Sequence, residues 1–154
     1  VRKRVARILV HDEAFDAGAE IARLGQGGAE AGAIACFVGV VRSDAVRPIT
    51  TMTLEHYPAM TQAALARIAA EAERRFALLS CTIIHRVGRL LPGEQIVFVG
   101  TAAAHRHAAL EAVAFLMDWL KTKAPFWKKE TLETGEESWV DAKDIDDESA
   151  SRWH

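Results

Sequence analysis

Cys81-Thr-Ile-Ile-His-Arg-Val87, Leu91-Pro-Gly-Glu94 and Gln95-Ile-Val-Phe-Val-Gly-Thr-Ala102, followed by a helical pattern from His105 to Lys123, decide the fold class. The two apolar runs read as strands joined by a turn-rich link. The long helix must stop before Pro125, because proline disfavours the helical conformation in its predecessor. Upstream, Val5–Val10 reads as a strand, and Phe15, Ile21 and Leu24 mark a short helix ended by Gly25-Gln-Gly-Gly28. Ala33–Val41 is a nearly continuous apolar run, expected to be a strand buried on both faces. Thr51–His56 alternates Met52, Leu54 and His56 with Thr51, Thr53 and Glu55, the pattern of a strand with one wet face. Pro58 breaks that strand, and Thr61 is expected to cap a helix carrying Ala64, Leu65, Ile68, Ala72 and Phe76 on one stripe. Downstream, Lys128–Leu132 and Ser138–Ala142 fit a hairpin around Thr134-Gly135. Strands and helices mix without a strict βαβ period, which points to the α+β class.

The chain has 154 residues, 19 Lys+Arg against 21 Asp+Glu, and 50 % apolar residues. That length suits one domain over residues 1–154, burying roughly two thirds of the surface its unfolded chain exposes. A net charge of −2 argues against a dedicated nucleic-acid binder. No apolar run reaches the roughly 18 residues of a membrane helix, and no apolar leader follows the basic start. Cys36 and Cys81 each lie in an apolar stretch, so buried thiols in a reducing cytoplasm are expected rather than a disulfide framework.

Charge is uneven. Residues 121–129 hold four lysines, while Glu130 to Glu148 hold nine acids and the single base Lys143. Leu110, Met117 and Lys121 fall on one flank of the long helix, which puts Lys121 where core meets water. It is either a lysine whose stem covers apolar surface or an amine whose pKa is lowered by Lys123, Lys128 and Lys129 until it can act as nucleophile or base. Arg42 follows the apolar strand, and His105-Arg106 opens the long helix, where an anion is favoured; a surface ion pair is the bland alternative for that arginine. Phe115 falls among Glu111, Asp118 and Thr122, so it suggests either a protein contact or a cover from elsewhere in the chain. Other chemistries lack their residues. His105 and His107 point apart on a helix, neither cysteine has zinc spacing, and phosphate loops and a Gly-x-Ser-x-Gly elbow are missing.

Thr53-Leu-Glu-His-Tyr-Pro-Ala-Met-Thr61, Ile84-His-Arg-Val-Gly88, Pro92-Gly-Glu-Gln-Ile-Val-Phe-Val-Gly100, Ala104-His-Arg106 and Met117-Asp-Trp-Leu-Lys-Thr-Lys-Ala-Pro-Phe-Trp-Lys128 together resemble the large, catalytic subunits of molybdopterin synthases. The likeness is strongest over residues 30–143 and weak in the acidic tail, 144–154. It implies an α/β-hammerhead fold and a central homodimer within a heterotetramer. It also implies a small ubiquitin-like partner whose Gly-Gly tail carries sulfur as a thiocarboxylate. Two sulfurs then pass to cyclic pyranopterin monophosphate, with no permanently bound cofactor or metal. By the same resemblance Lys121 and Lys128 are the catalytic lysines. Arg42, His105, Arg106, Lys129 and Glu130 line the substrate and tail pocket with them, His105 and Arg106 reaching across the dimer.

The implied chemistry agrees with the residues. Sulfur that arrives on a partner requires no reactive cysteine here, and a phosphate and a thiocarboxylate both require cations. Lys121 has three roles open to it: base, electrostatic stabiliser of a tetrahedral intermediate, or transient acyl acceptor. Two positions depart from the family pattern. Val40 stands where a lysine is common, and Lys143 where an arginine is expected, which keeps the charge but loses the bidentate fork. Rival functions are a non-catalytic dock for a ubiquitin-like protein and a stand-alone phosphate-ester enzyme. The first makes a convergence of Lys121, Lys128, His105 and Arg106 unnecessary; the second lacks a phosphate loop or metal site.

Overall fold

The computed structural model describes residues 5–26, 28–140 and 144–153. Residues 1–4, Lys143 and the expected strand end at Ala142 lie outside them. The order is β1 (Arg7–His11), α1 (Ala17–Leu24), β2 (Ala33–Val40), β3 (Ile49–His56), α2 (Pro58–Phe76), β4 (Ser80–Arg86), β5 (Gly88–Leu90), β6 (Gln95–Ala103), α3 (Arg106–Thr122), β7 (Phe126–Leu132), β8 (Glu137–Val140) and α4 (Asp144–Ser151). One sheet runs β1-β4-β6-β2, with β1 parallel to β4 and the other pairs antiparallel. The second runs β5-β3-β7-β8, antiparallel throughout. The class is α+β, as expected. No helix among the described residues is long and apolar enough to cross a membrane.

The central strands are the apolar runs, and their period of two divides the core. Ile83, Val97 and Val99 face α2 and α3, packing in one cluster with Leu65, Ala69, Ala72, Ala109, Ala112 and Leu116. Their neighbours Ile84 and Phe98 face the other way, onto Leu24 of α1 and Phe15. Thr101 can be fully buried in β6 because its hydroxyl donates to the Ala109 carbonyl at 2.8 Å, which ties α3 to the sheet. At Gly100 a Cβ would lie 2.4 Å from Leu24 Cδ1 and 2.8 Å from the Phe98 ring, so only glycine lets α1 approach this closely.

Three expectations need correction, and the two readings of Phe115 resolve into one. Ala33–Val41 is not buried on both faces: β2 is an edge strand paired only with β6, and Ile34, Phe37 and Val40 are 42 %, 39 % and 51 % exposed. Cys36 is therefore exposed, whereas Cys81 is buried, with its thiol pushed up to about 12 by burial and by the Glu73 charge. Thr61 does not cap α2. Tyr57 is the N-cap and Pro58 opens the helix, where its missing N–H costs nothing, while Thr61 lies a turn inside and is fully buried. Phe115 is covered by its own chain. It packs edge-on to Phe76 at 5.6 Å and Trp153 at 5.4 Å, with the Arg75 guanidinium 5.2 Å from its ring centre. The hairpin forms as β7 and β8 with Gly135 at φ 90°, and the short β5 inside the expected link pairs with β3.

Gly100→Ala should lower stability by about 1–3 kcal/mol through overpacking. The denaturant midpoint should fall with an unchanged slope. Adding Leu24→Ala should lessen the further cost of the new methyl, and additive losses would show that the Leu24 contact is not the cause.

Candidate active site

Pro125 sets the site. The Lys123 amide still donates to the Trp119 carbonyl at 2.8 Å, and the Phe126 amide already donates to the Ala124 carbonyl at 2.8 Å, so helix becomes strand within three residues. The reversal carries the chain from Lys121, in the last turn of α3, to Phe126 and Lys128 on β7. Alternation then sorts β7. Phe126, Lys128, Glu130 and Leu132 share one face, and Phe126 and Leu132 pack on the main core. Trp127 and Lys129 take the other face. Trp127 meets Tyr57 edge-on at 5.1 Å. Lys129 Nζ lies 3.5 Å from Glu137 and 5.8 Å from the ring centre of Trp139, its cross-strand neighbour. The lysine run is thus split, and Lys129 turns away from Lys128.

Phe126 stacks on His85 of β4, ring centres 4.1 Å apart and planes 24° apart, with the His56 ring 6.3 Å from Phe126. His85 is buried, and its Nδ1–H donates to the Arg86 carbonyl at 2.8 Å, which leaves Nε2 without a proton in the neutral ring. Burial pushes the His85 pKa down to about 4; the hydrogen bond opposes the shift, and the charges of Lys128, Lys121 and His56 add to it. Both lysines expected to be catalytic therefore act on one buried ring, although they come from different elements. Lys121 itself is exposed beside half-buried Met117, while Leu110 further along the same flank is 60 % exposed, so that flank is wetter than a core boundary.

The remaining site residues separate. Glu130 lies 3.9 Å from Arg47, which also donates to the Ser138 hydroxyl at 2.8 Å. Arg42 is exposed and paired with Asp44 of its own loop at 3.1 Å. His105 and Arg106 are exposed at the opposite end of α3 from Lys121, roughly 22 Å away at 1.5 Å per residue. Within one chain they do not join the lysine pair. His56, His85 and Arg47 were not singled out from sequence as site residues. The two histidines stood within the quoted motifs, but only the packing of one sheet on the other shows that they meet. Among the described residues, no three His, Cys, Asp or Glu side chains gather closely enough to hold a metal ion.

The class of molecule is thus an α+β protein in which two cations from separate elements act on one buried, neutral imidazole. The chain belongs to the MoaE protein family, whose model matches residues 10–123. It is 51 % identical over 147 residues to the molybdopterin synthase catalytic subunit of Pseudomonas aeruginosa, covering 95 % of this chain and 97 % of that one. The solved molybdopterin biosynthesis MoaE protein of Burkholderia ambifaria MC40-6 is 52 % identical and superposes with a TM-score of 0.81, over 96 % of this chain and 97 % of the other. A complex of subunits 1 and 2 of molybdopterin-converting factor from Helicobacter pylori 26695 shares the fold at 23 % identity and a TM-score of 0.66, with 92 % of each chain covered.

His85 also links pH to stability. The unfolded chain protonates it near 6.5 and the folded chain only near 4. Between those values the unfolded state binds the extra proton, so stability is full above the upper value and falls as the pH drops towards the lower one. Chemical denaturation of the wild type should lose up to about 3 kcal/mol across this window relative to His85→Phe. Parallel acid limbs in the two proteins would refute the assignment.

Proposed function

We propose that this chain is the catalytic subunit of a molybdopterin synthase, converting cyclic pyranopterin monophosphate to molybdopterin with sulfur from the C-terminal thiocarboxylate of a small ubiquitin-like subunit. The observation that carries this reading is that Lys121 and Lys128, from different elements, both bear by their charge on buried His85, in a chain half identical to named catalytic subunits. The partner's tail and the substrate phosphate are both anionic, and two ammonium groups from different elements can hold one each. Sulfur transfer forms a bond from the thiocarboxylate sulfur to a substrate carbon as that carbon's C–O bond breaks, the oxygen leaving as water or with the phosphate. Water then cleaves the tail's carbonyl–sulfur bond, leaving a carboxylate on the tail and the sulfur on the pterin. That cleavage passes through a tetrahedral oxyanion, which a lysine ammonium stabilises. The sulfur comes from the partner, so no resident cofactor is required and neither Cys36 nor Cys81 takes part.

Glu130, on the Lys128 face of β7, and Arg42 complete the rim, Arg42 exchanging Asp44 for the substrate anion, while Lys129 stays on the far face of β7 against Glu137. His105 and Arg106, a helix length from Lys121, serve the pocket of a second copy. The open edge of β2, with Ile34, Phe37 and Val40 exposed, supplies apolar surface for that homodimer. Two such copies, each with a small subunit, make the heterotetramer.

Reconstitution with a thiocarboxylated small subunit and the cyclic pterin phosphate should give dithiolene product, quantified as its fluorescent oxidised derivative. Lys121→Ala should cut turnover by on the order of 100-fold or more while partner binding and the melting curve are retained. Full activity in that variant would remove the lysine from its role, and partner binding without turnover in the wild type would favour a docking module. Mixing inactive Lys121→Ala with inactive Arg106→Ala should restore activity, because the mixed dimer holds one intact pocket. No recovery after verified subunit exchange would place Arg106 in its own chain's site.

A further inference from the structure

We propose that His85 is a positioning residue for the lysine pair, presenting an unprotonated ring nitrogen that accepts from a lysine ammonium and keeps Lys128 and Lys121 in register with one another. The inference rests on the reading of those lysines as catalytic and extends it to a residue that need not touch the substrate. Two contacts fix the ring. Phe126 covers one face at 4.1 Å, and Nδ1–H donates to the Arg86 carbonyl at 2.8 Å. That carbonyl is itself held, because the Arg86 guanidinium binds Glu94 at 3.1 Å, the Gln95 carbonyl at 3.3 Å and the Asp12 carbonyl at 3.1 Å. A ring held at Nδ1 and on its face has a defined tautomer and orientation, with its acceptor at Nε2. Lys128 shares the Phe126 face of β7 two residues on, and Lys121 sits in the last turn of α3, across the Pro125 turn.

The charged and titratable groups acting on the ring are Lys128 from β7, Lys121 from α3 and His56 from β3. None is an acid, so a protonated His85 would add a cation to a cluster that already repels itself. A neutral acceptor does the opposite: it stabilises the charged form of the lysine that donates to it. Its loss should lower that lysine's pKa and loosen its geometry.

Two variants separate the parts of this role. His85→Phe keeps an aromatic ring against Phe126 and removes the acceptor; His85→Gln restores a polar atom near the Nε2 position and gives up the stack. With folding checked by thermal melting, His85→Phe should lower kcat by on the order of 10- to 100-fold with little change in KM for the pterin. The basic limb of its pH–rate profile should move to lower pH, and His85→Gln should recover most of the rate. A His85→Phe protein with wild-type kcat and pH profile would make the histidine merely structural and overturn the proposal. A second readout does not depend on turnover. In lysine-labelled protein, the ε-carbon titrations of Lys121 and Lys128, assigned through their Arg variants, should show at least one midpoint falling in His85→Phe. Unmoved midpoints overturn the positioning role whatever the activity. A moved midpoint with a fully active Lys121→Ala keeps the positioning role and rejects the catalytic reading. If His85→Phe does not fold, the wild type decides: a nuclear Overhauser contact between the His85 ring and a Lys128 or Lys121 ε-methylene supports the proposal, and its absence refutes it.

Discussion

The stack of Phe126 on His85 joins the two sheets beside the turn between α3 and β7. His85 belongs to β4, in the middle of the first sheet, and Phe126 opens β7, in the middle of the second. Because β7 follows α3 after so short a turn, fixing Phe126 also fixes the end of that helix. Lysines on a helix end and a strand face would otherwise have considerable freedom, since a lysine side chain loses up to about 2 kcal/mol of rotamer entropy when it is ordered. Rigid elements pinned on both sides of the pair limit that freedom.

Electrostatics follows from the same packing. Burial alone disfavours the imidazolium, and the neighbouring lysines disfavour it further, so His85 stays neutral across the range in which most histidines titrate. The two lysines therefore face no third cation at His85. Lys129 contributes to this by lying on the far face of β7 against Glu137, which moves one charge of the run away from the pair.

Much of the fold was legible because its signals are local. The apolar runs at Ile83–Ile84 and Val97–Val99, the proline stop after α3 and the Thr134-Gly135 hairpin each announce themselves within a few residues. What was hidden depends on contacts distant in sequence. An apolar strand reads alike at the centre or the edge of a sheet, so β2 was misplaced. Phe115 looked exposed because its cover, Trp153, lies at the other end of the following chain. The lysines stand in a quoted motif, but the stack of His85 on Phe126 could not be read there, since residues 85 and 126 meet only after two sheets pack. Arg47 was invisible for the same reason: its tie to Glu130 and Ser138 spans most of the chain.

Beyond α4, Trp153 donates its indole N–H to Asp118 at 2.6 Å, meets Phe115 edge-on and lies beneath the Arg152 guanidinium at 4.4 Å. Asp118 sits one turn before Lys121. An indole bonded to a carboxylate and flanked by a cation is a built-in optical gauge, its emission tuned by local polarity. Light collected at this far end of the chain therefore carries information about the helix turn that holds the amine, with no foreign label attached.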